Sequence, residues 1–183
     1  MKRSEDLLGT PVISAEEGIE VGQVKGLLIN VSTAQTAGIA VAGRSLFDAP
    51  KVAPFALIQG FGADVVVIEN TSSMAEPSSL PELESLVRSD GDIKGMKVVT
   101  RDGRFVGTVD ALFIDLPSGK VTGYGLQVPG GTRILPADLV ITIGKQFIVA
   151  ATNAGNRLID TANFSAASSM PDSRCFGKAE GNQ

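Results

Sequence analysis

The chain has 183 residues, 43% hydrophobic and 20% charged: enough apolar material for a folded core, at a length that suits one ordinary domain or two very small ones. With 16 Lys and Arg against 20 Asp and Glu, the formal net charge is −4, so the basic footprint that phosphate backbones require is missing and nucleic acid is a disfavoured partner. There is no His, no Trp, one Tyr and one Cys, which removes the usual His-dependent nucleophile pairs and any internal disulfide, and leaves Val, Ile, Leu, Ala and Phe to build the core.

The chain opens Met1-Lys2-Arg3-Ser4-Glu5-Asp6, turning acidic where a signal peptide needs an apolar stretch. No apolar run approaches the roughly 18–20 residues that span a bilayer, so no transmembrane segment is expected. The expected compartment is the cytoplasm, with peripheral membrane contact compatible with the composition.

Short β-rich runs separated by turn residues then follow: Thr10–Ser14, Gly22–Val31, Gly38–Val41, Lys51–Pro54 and Val65–Ile68. Next comes the Ser- and Pro-rich stretch Thr71–Ser79, leading into Leu80–Arg88. There Ser79 and Glu82 have capping-box spacing, and Leu83, Leu86 and Val87 share one helical face, which predicts a short helix or turn.

From Lys94 the first pattern starts again. Leu8–Ser14 matches Lys94–Thr100, Glu17-Gly18 matches Asp102-Gly103, and Gly22–Val31 matches Gly107–Leu116. Thr33-Ala34 then faces Ser118-Gly119, Gly38–Val41 faces Gly123–Leu126, and Lys51–Pro54 faces Arg133–Pro136. Gly62 meets Gly144, and Val65–Ile68 meets Phe147–Ala150. An ordered series of this kind identifies an internal repeat of an all-β unit. The expected division is a first unit over 1–70, a linker over 71–92, a second unit over 93–151 and a flexible tail over 152–183, in which Leu158-Ile159 and Phe164 dock locally.

Local chemistry adds detail. Asp102-Gly103 between apolar runs predicts a tight hairpin of the type that needs positive φ at both central residues. Pro54 and Pro136 cannot donate to a ladder, so each predicts a strand end followed by a turn or single 3₁₀ turn. Tyr124, Leu126 and Val128 alternate with Gly123, Gly125 and Gln127, marking one apolar face and a close backbone approach at the glycines. A copy of roughly 70 residues sits near the lower limit for an independent core, so the two units are expected to touch.

The search for catalytic chemistry is negative. Asp64, Glu69, Asp102, Asp115 and Asp138 are the carboxylates nearest the β pattern, and turn or strand-end roles account for Asp102, Asp115 and Asp138. Gly60-Phe61-Gly62 lacks the third glycine of a dinucleotide fingerprint, and Gly130-Gly131 reads as a hairpin tip. Cys175 has no neighbouring base in the sequence and reads as an incidental thiol. No catalytic, cofactor-binding or metal-ligating residue is assigned.

In Gly95, Val98, Asp102-Gly103, Gly107, Val109, Ile114-Asp115, Gly119, Pro136 and Leu139 the second copy resembles the PRC-barrel family. The first copy, Gly9 through Glu69, is similar but fainter, with Asn30 in place of the aspartate and an extra residue before Gly22. The resemblance implies an all-β fold of two small PRC-like barrels in tandem. That family includes the cytoplasmic domain of the photosynthetic reaction-centre H subunit and the C-terminal domain of the ribosome maturation factor RimM, both adaptors on larger machines. It therefore implies a non-catalytic protein-binding or scaffold module whose partner is another protein, with self-association as a further expectation. Association with ribosomes or RNA, and a small enzyme of unrecognised type, are the alternatives.

Overall fold

The structure, a computed structural model, describes residues 2–43, 50–62, 64–76, 87–161 and 163–164. In chain order the strands of the first unit are β1 (Lys2–Arg3), β2 (Pro11–Ser14), β3 (Ile19–Asn30), β4 (Gln35–Ala42), β5 (Lys51–Pro54), β6 (Ile58–Phe61) and β7 (Val66–Ile68). Those of the second are β8 (Val87–Ser89), β9 (Lys97–Thr100), β10 (Phe105–Asp115), β11 (Lys120–Val128), β12 (Gly131–Pro136), β13 (Val140–Ile143), β14 (Phe147–Ala150) and β15 (Ile159–Asp160). The two prolines end β5 and β12 as expected, and single 3₁₀ turns, Phe55–Leu57 and Ala137–Leu139, follow them.

Pairing repeats between the copies as closely as the sequence does. In the first, β2, β3, β4 and β5 are successive antiparallel neighbours, β7 runs parallel to β2, and β6 pairs with β7. In the second, β9 to β12 follow the same order, β14 runs parallel to β9, and β13 pairs with β14. Even the irregularities correspond: β3 shifts register against β4 at Val24/Gly26 and Leu28/Ile29, and β10 shifts against β11 at Val109/Ala111 and Phe113/Ile114. An extra residue bends and twists its strand, so each long strand curls and each unit forms a half-barrel.

The hairpin over Asp102-Gly103 is present, but not in the expected form. Gly103 has φ +85 and donates to the Thr100 carbonyl at 2.9 Å, whereas Ala34 is the one non-glycine of positive φ among the described residues. Asp102 therefore keeps an ordinary backbone, and the longer loop needs a left-handed residue only at the glycine. The Thr100 hydroxyl closes the loop, accepting from the Arg104 N–H at 3.0 Å and donating to the Arg104 carbonyl at 3.3 Å.

The units do more than touch. Gln35 on β4 pairs with Lys120 on β11, flanked by hydrogen bonds from Thr36 to the Gly119 carbonyl (2.7 Å) and from Val121 to the Ala34 carbonyl (2.9 Å). These residues are equivalents of one another in the repeat, so the contact has approximate two-fold symmetry. It fuses both half-barrels into one sheet whose path runs β13-β14-β9-β10-β11-β4-β3-β2-β7-β6.

The leading strands are also exchanged. β1 pairs with β10, Lys2 opposite Ile114, and β8 pairs with β3, Arg88 opposite Ile29. Each unit thus begins by covering the other's long strand, which would otherwise leave backbone donors and acceptors unpaired at that edge. This corrects two expectations. Val87 and Arg88 lie in a strand rather than a short helix or turn, and the span 71–92 contains ordered structure of both units; Ser79 and Glu82 lie outside the described residues. A capping box forms at Ser89 and Asp92, where the Ser89 N–H donates to Asp92 (3.3 Å) and the Asp92 N–H donates to Ser89 Oγ (3.1 Å). It opens the single helical turn Asp90–Ile93.

One hydrophobic core serves both halves. Leu7, Leu27, Ile29 and Ile39 of the first unit belong to the same buried cluster as Ile93, Leu112, Ile114 and Tyr124 of the second. Each fully buried Leu or Ile contributes about 1.5–3 kcal/mol, a gain a separate 70-residue unit would have to find alone. A smaller cluster of Ala111, Phe113, Ile134 and Phe164 lies on the other face of β10 to β12. There Phe164 meets Phe113 edge-on at 5.6 Å, and a Cβ on Gly123 would stand 2.8 Å from the Phe164 ring. The close approach expected at Gly123 thus has a partner. The flexible tail expected over 152–183 is corrected in its first part: Ala154–Arg157 forms a 3₁₀ turn, β15 pairs with β12, and Phe164 is buried.

Candidate functional site

The carboxylates singled out by sequence do not converge. Asp115 ends β10 and accepts from Ser118 Oγ at 2.5 Å, while its equivalent Asn30 accepts from the Ser32 and Thr33 N–H groups at 3.0 and 3.2 Å. Asp102 pairs with Arg104 Nε at 3.0 Å, and its carboxyl is held below the usual range mainly by a hydrogen bond from Thr100. Asp138 is exposed in the turn after Pro136, Asp64 in the β6–β7 turn, and Glu69 just beyond β7. Among the described residues no three His, Cys, Asp or Glu side chains come together as metal ligands would. Gly62 closes a turn on Val65 (3.1 Å) as Gly144 does on Phe147 (2.9 Å), so neither builds a phosphate cradle. Cys175 lies outside the described residues.

Two other features resemble sites without having the chemistry of one. A shallow hollow of about 250 Å³ is lined by Glu20, Gly22, Gln23, Ala42 and Gly43, which brings a single ionisable group to it. Tyr124 is fully buried, its hydroxyl has no hydrogen-bond partner, and burial pushes its pKa up to about 12. A phenol held neutral inside a core has no route to a substrate.

What the fold does assemble is a pair of contrasting ends. Burial alternates along β9 and β14, so Val98, Thr100, Ile148 and Ala150 face the core and Lys97, Val99, Phe147 and Val149 face outward. Register sets Val99 between Phe105 and Val149, and Lys97 between Thr108 and Phe147. Phe105 is 59% exposed, Ile141 on β13 52% and Phe147 45%, and directly opposed side chains stand about 5 Å apart. Lys97, Arg101, Arg104 and Lys145 are exposed in and beside this apolar patch. The acid in their midst, Asp102, is already engaged by Arg104.

The first unit puts opposite chemistry on the same frame. Glu20, opposite Ile13, stands where Phe105 stands opposite Val99, and Val67 and Gly60 replace Val149 and Thr142. Glu16 and Glu17 fill the turn that carries Arg101 and Asp102 in the second copy, and Asp64 and Glu69 flank β7. Glu17 is fixed there by the Thr71 N–H (3.3 Å) and hydroxyl (2.9 Å). Because β9, β14 and β13 lie at one extreme of the sheet path and β2, β7 and β6 at the other, the molecule has a basic, aromatic end and an acidic end. Sequence reasoning missed this surface. The signal was present in the aligned pairs Glu20/Phe105 and Pro11/Lys97, but only strand register shows that these positions face outward together.

Comparison with protein families matches the PRC-barrel domain twice, over residues 1–75 and 87–157. Both matches begin at the exchanged leading strand of their unit, and the second ends within the 3₁₀ turn before β15. Comparison with curated proteins returns no match.

Proposed function

The chain belongs to the PRC-barrel family, both of its units being members, and from that premise we propose that it is a non-catalytic protein-binding or scaffold module that engages its partner through the exposed face of its second unit. The observation that carries this reading is the patch of Phe105, Phe147 and Ile141 with Lys97, Arg101, Arg104 and Lys145 around it. Exposed aromatic side chains ringed by charge are the usual make-up of a binding face, with aromatic and Arg residues supplying most of the energy. The complementary occupant is a protein surface with an apolar centre and an acidic rim. The dispersed carboxylates leave this surface, rather than a pocket, as the place where side chains converge.

Mild crosslinking in the source cell, comparing wild type with a Phe105→Glu/Phe147→Glu variant, tests the reading. A specific protein should be joined to the wild type and lost from the variant, with thermal unfolding confirming that the variant is folded. Recovery of the same proteins with both would refute it. A ribosome- or RNA-associated role is the second reading, and the same basic face with exposed Phe side chains is what favours it, since bases stack on such rings. It predicts salt-sensitive co-sedimentation with ribosomal particles that the variant loses.

A further inference from the structure

We infer that the basic, aromatic end of one copy docks on the acidic end of another, so that the protein assembles head to tail. This rests on the reading above and names a second copy of the chain as the partner.

Charge decides the geometry. The repeat places Lys97, Arg101, Arg104 and Lys145 on the same part of the fold as Glu16, Glu17, Glu20 and Asp64. A two-fold contact between like ends would press base on base or acid on acid, and like charges brought together oppose association. A head-to-tail contact sets each basic group near an acidic one. Apolar surface exists at both ends to be covered. Phe105, Phe147 and Ile141 stand on one side, and half-buried Ile13 and Val67 stand on the other. The terminal strands of the sheet path, β13 and β6, lie at these same ends, and neither pairs with a further strand among the described residues. Unpaired edges of this kind are templates for association.

The two ends belong to different units and stand at the two ends of the strand path, so each copy has one of each to offer. A contact between different surfaces that does not close by rotation yields an open chain rather than a dimer. Rim charges of this kind make association salt-dependent, because the screening length is about 8 Å at physiological ionic strength and shorter above it.

Sedimentation velocity on the full chain tests the inference over a concentration series at about 50 mM and about 500 mM salt. At low salt the mean mass should grow past that of a dimer with concentration, and association should weaken at least tenfold at high salt. Lys97→Glu/Arg101→Glu leaves two acidic ends, and Glu16→Lys/Glu20→Lys/Glu69→Lys leaves two basic ends. Each variant alone should stay monomeric, while an equimolar mixture should associate, because each then supplies the intact end the other needs. A wild type that remains monomeric at low salt, growth that stops at two copies, or variants that assemble unmixed would each overturn it. If the wild type stays monomeric while Phe105→Glu/Phe147→Glu still loses a crosslinked partner, self-assembly falls and the binding role stands. If neither is seen, both fall.

Discussion

The two units share strand order, register shifts, proline turns and exchanged leading strands, yet they differ wherever the shared frame is not what a residue serves. Core positions keep their character: Leu7 and Ile93, or Ile29 and Ile114, are equivalent and fully buried. Outward positions diverge, Glu20 against Phe105 and Pro11 against Lys97. At the junction the difference is complementary. Gly119 has φ +65, and a Cβ there would stand 2.4 Å from the Phe55 ring tip of the other unit. The equivalents of Gly119 and Phe55 are Ala34 and Ala137, a small residue at each place. Fusing two copies into one chain frees the two sides of a two-fold contact to change separately, and here one side has taken a large ring over a glycine.

The largest effects should come from the positions where the units are most alike. Leu7→Ala and Ile93→Ala should each cost about 2–5 kcal/mol, as for other buried aliphatic truncations. Because the core is continuous, either change should lower the unfolding midpoint of the whole chain. Tyr124 is the one tyrosine and lies in the second unit. Its fluorescence should therefore follow the same urea curve as far-UV circular dichroism, which reads both halves. Separate transitions would show that the shared core does not couple them.

The junction should break the comparison next. Gly119→Ala adds a Cβ into the Phe55 ring and strains a left-handed backbone, so a loss of roughly 2–4 kcal/mol is expected. Ala34→Gly, at the equivalent place, relieves its φ of +51 and should be neutral or gain up to about 1 kcal/mol. Truncation at Phe55→Ala should recover part of the Gly119→Ala loss in chemical denaturation.

Tyr124 marks a smaller asymmetry, since its equivalent in the first unit is Ile39. Removing the unpartnered hydroxyl in Tyr124→Phe should leave stability unchanged or raise it by about 1 kcal/mol. With the folded pKa near 12 against an ordinary value of 10, the unfolded chain ionises first. Stability should be level with respect to this group below pH 10 and fall as pH rises from there toward 12. The variant should lack that part of the decline, read from urea midpoints across the range.

The smallest effect concerns an ion cluster present at one crossing of the exchanged strands. Lys94 binds Glu5, and Arg3 reaches both Glu5 and Asp110 at 3.6 Å. The hydrogen bond from Lys94 is the main cause holding the Glu5 carboxyl below its usual range. Its contribution is therefore present above the ordinary carboxylate pKa and lost as pH falls through the lowered one. Glu5 is 38% exposed, so screening keeps the pair to about 0.2–1 kcal/mol, which a Glu5→Gln/Lys94→Ala double-mutant cycle would measure.

Much of the fold was legible because backbone constraints leave a trace in residue type. Pro54 and Pro136 marked strand ends, the run of matched glycines and apolar residues marked the repeat, and the alternation around Tyr124 marked a core face. The short helix or turn expected over Leu80–Arg88 missed the strand at Val87 and Arg88, because three residues of strand take their conformation from the edge they cover and not from their own periodicity. The Ser89–Asp92 capping box was there to be read, four residues from a buried Ile93.

By itself, then, the sequence determined that there are two β units of one topology, where their turns fall and which face of the Tyr124 strand is apolar, since those follow from local sterics and hydrophobic period. Tertiary structure alone decided that β4 joins β11, that β1 and β8 change places, and that Phe105, Phe147, Lys97 and Arg101 share one surface. Each of those depends on register between segments far apart in the chain, and register is set by how the whole core packs rather than by any neighbouring residue.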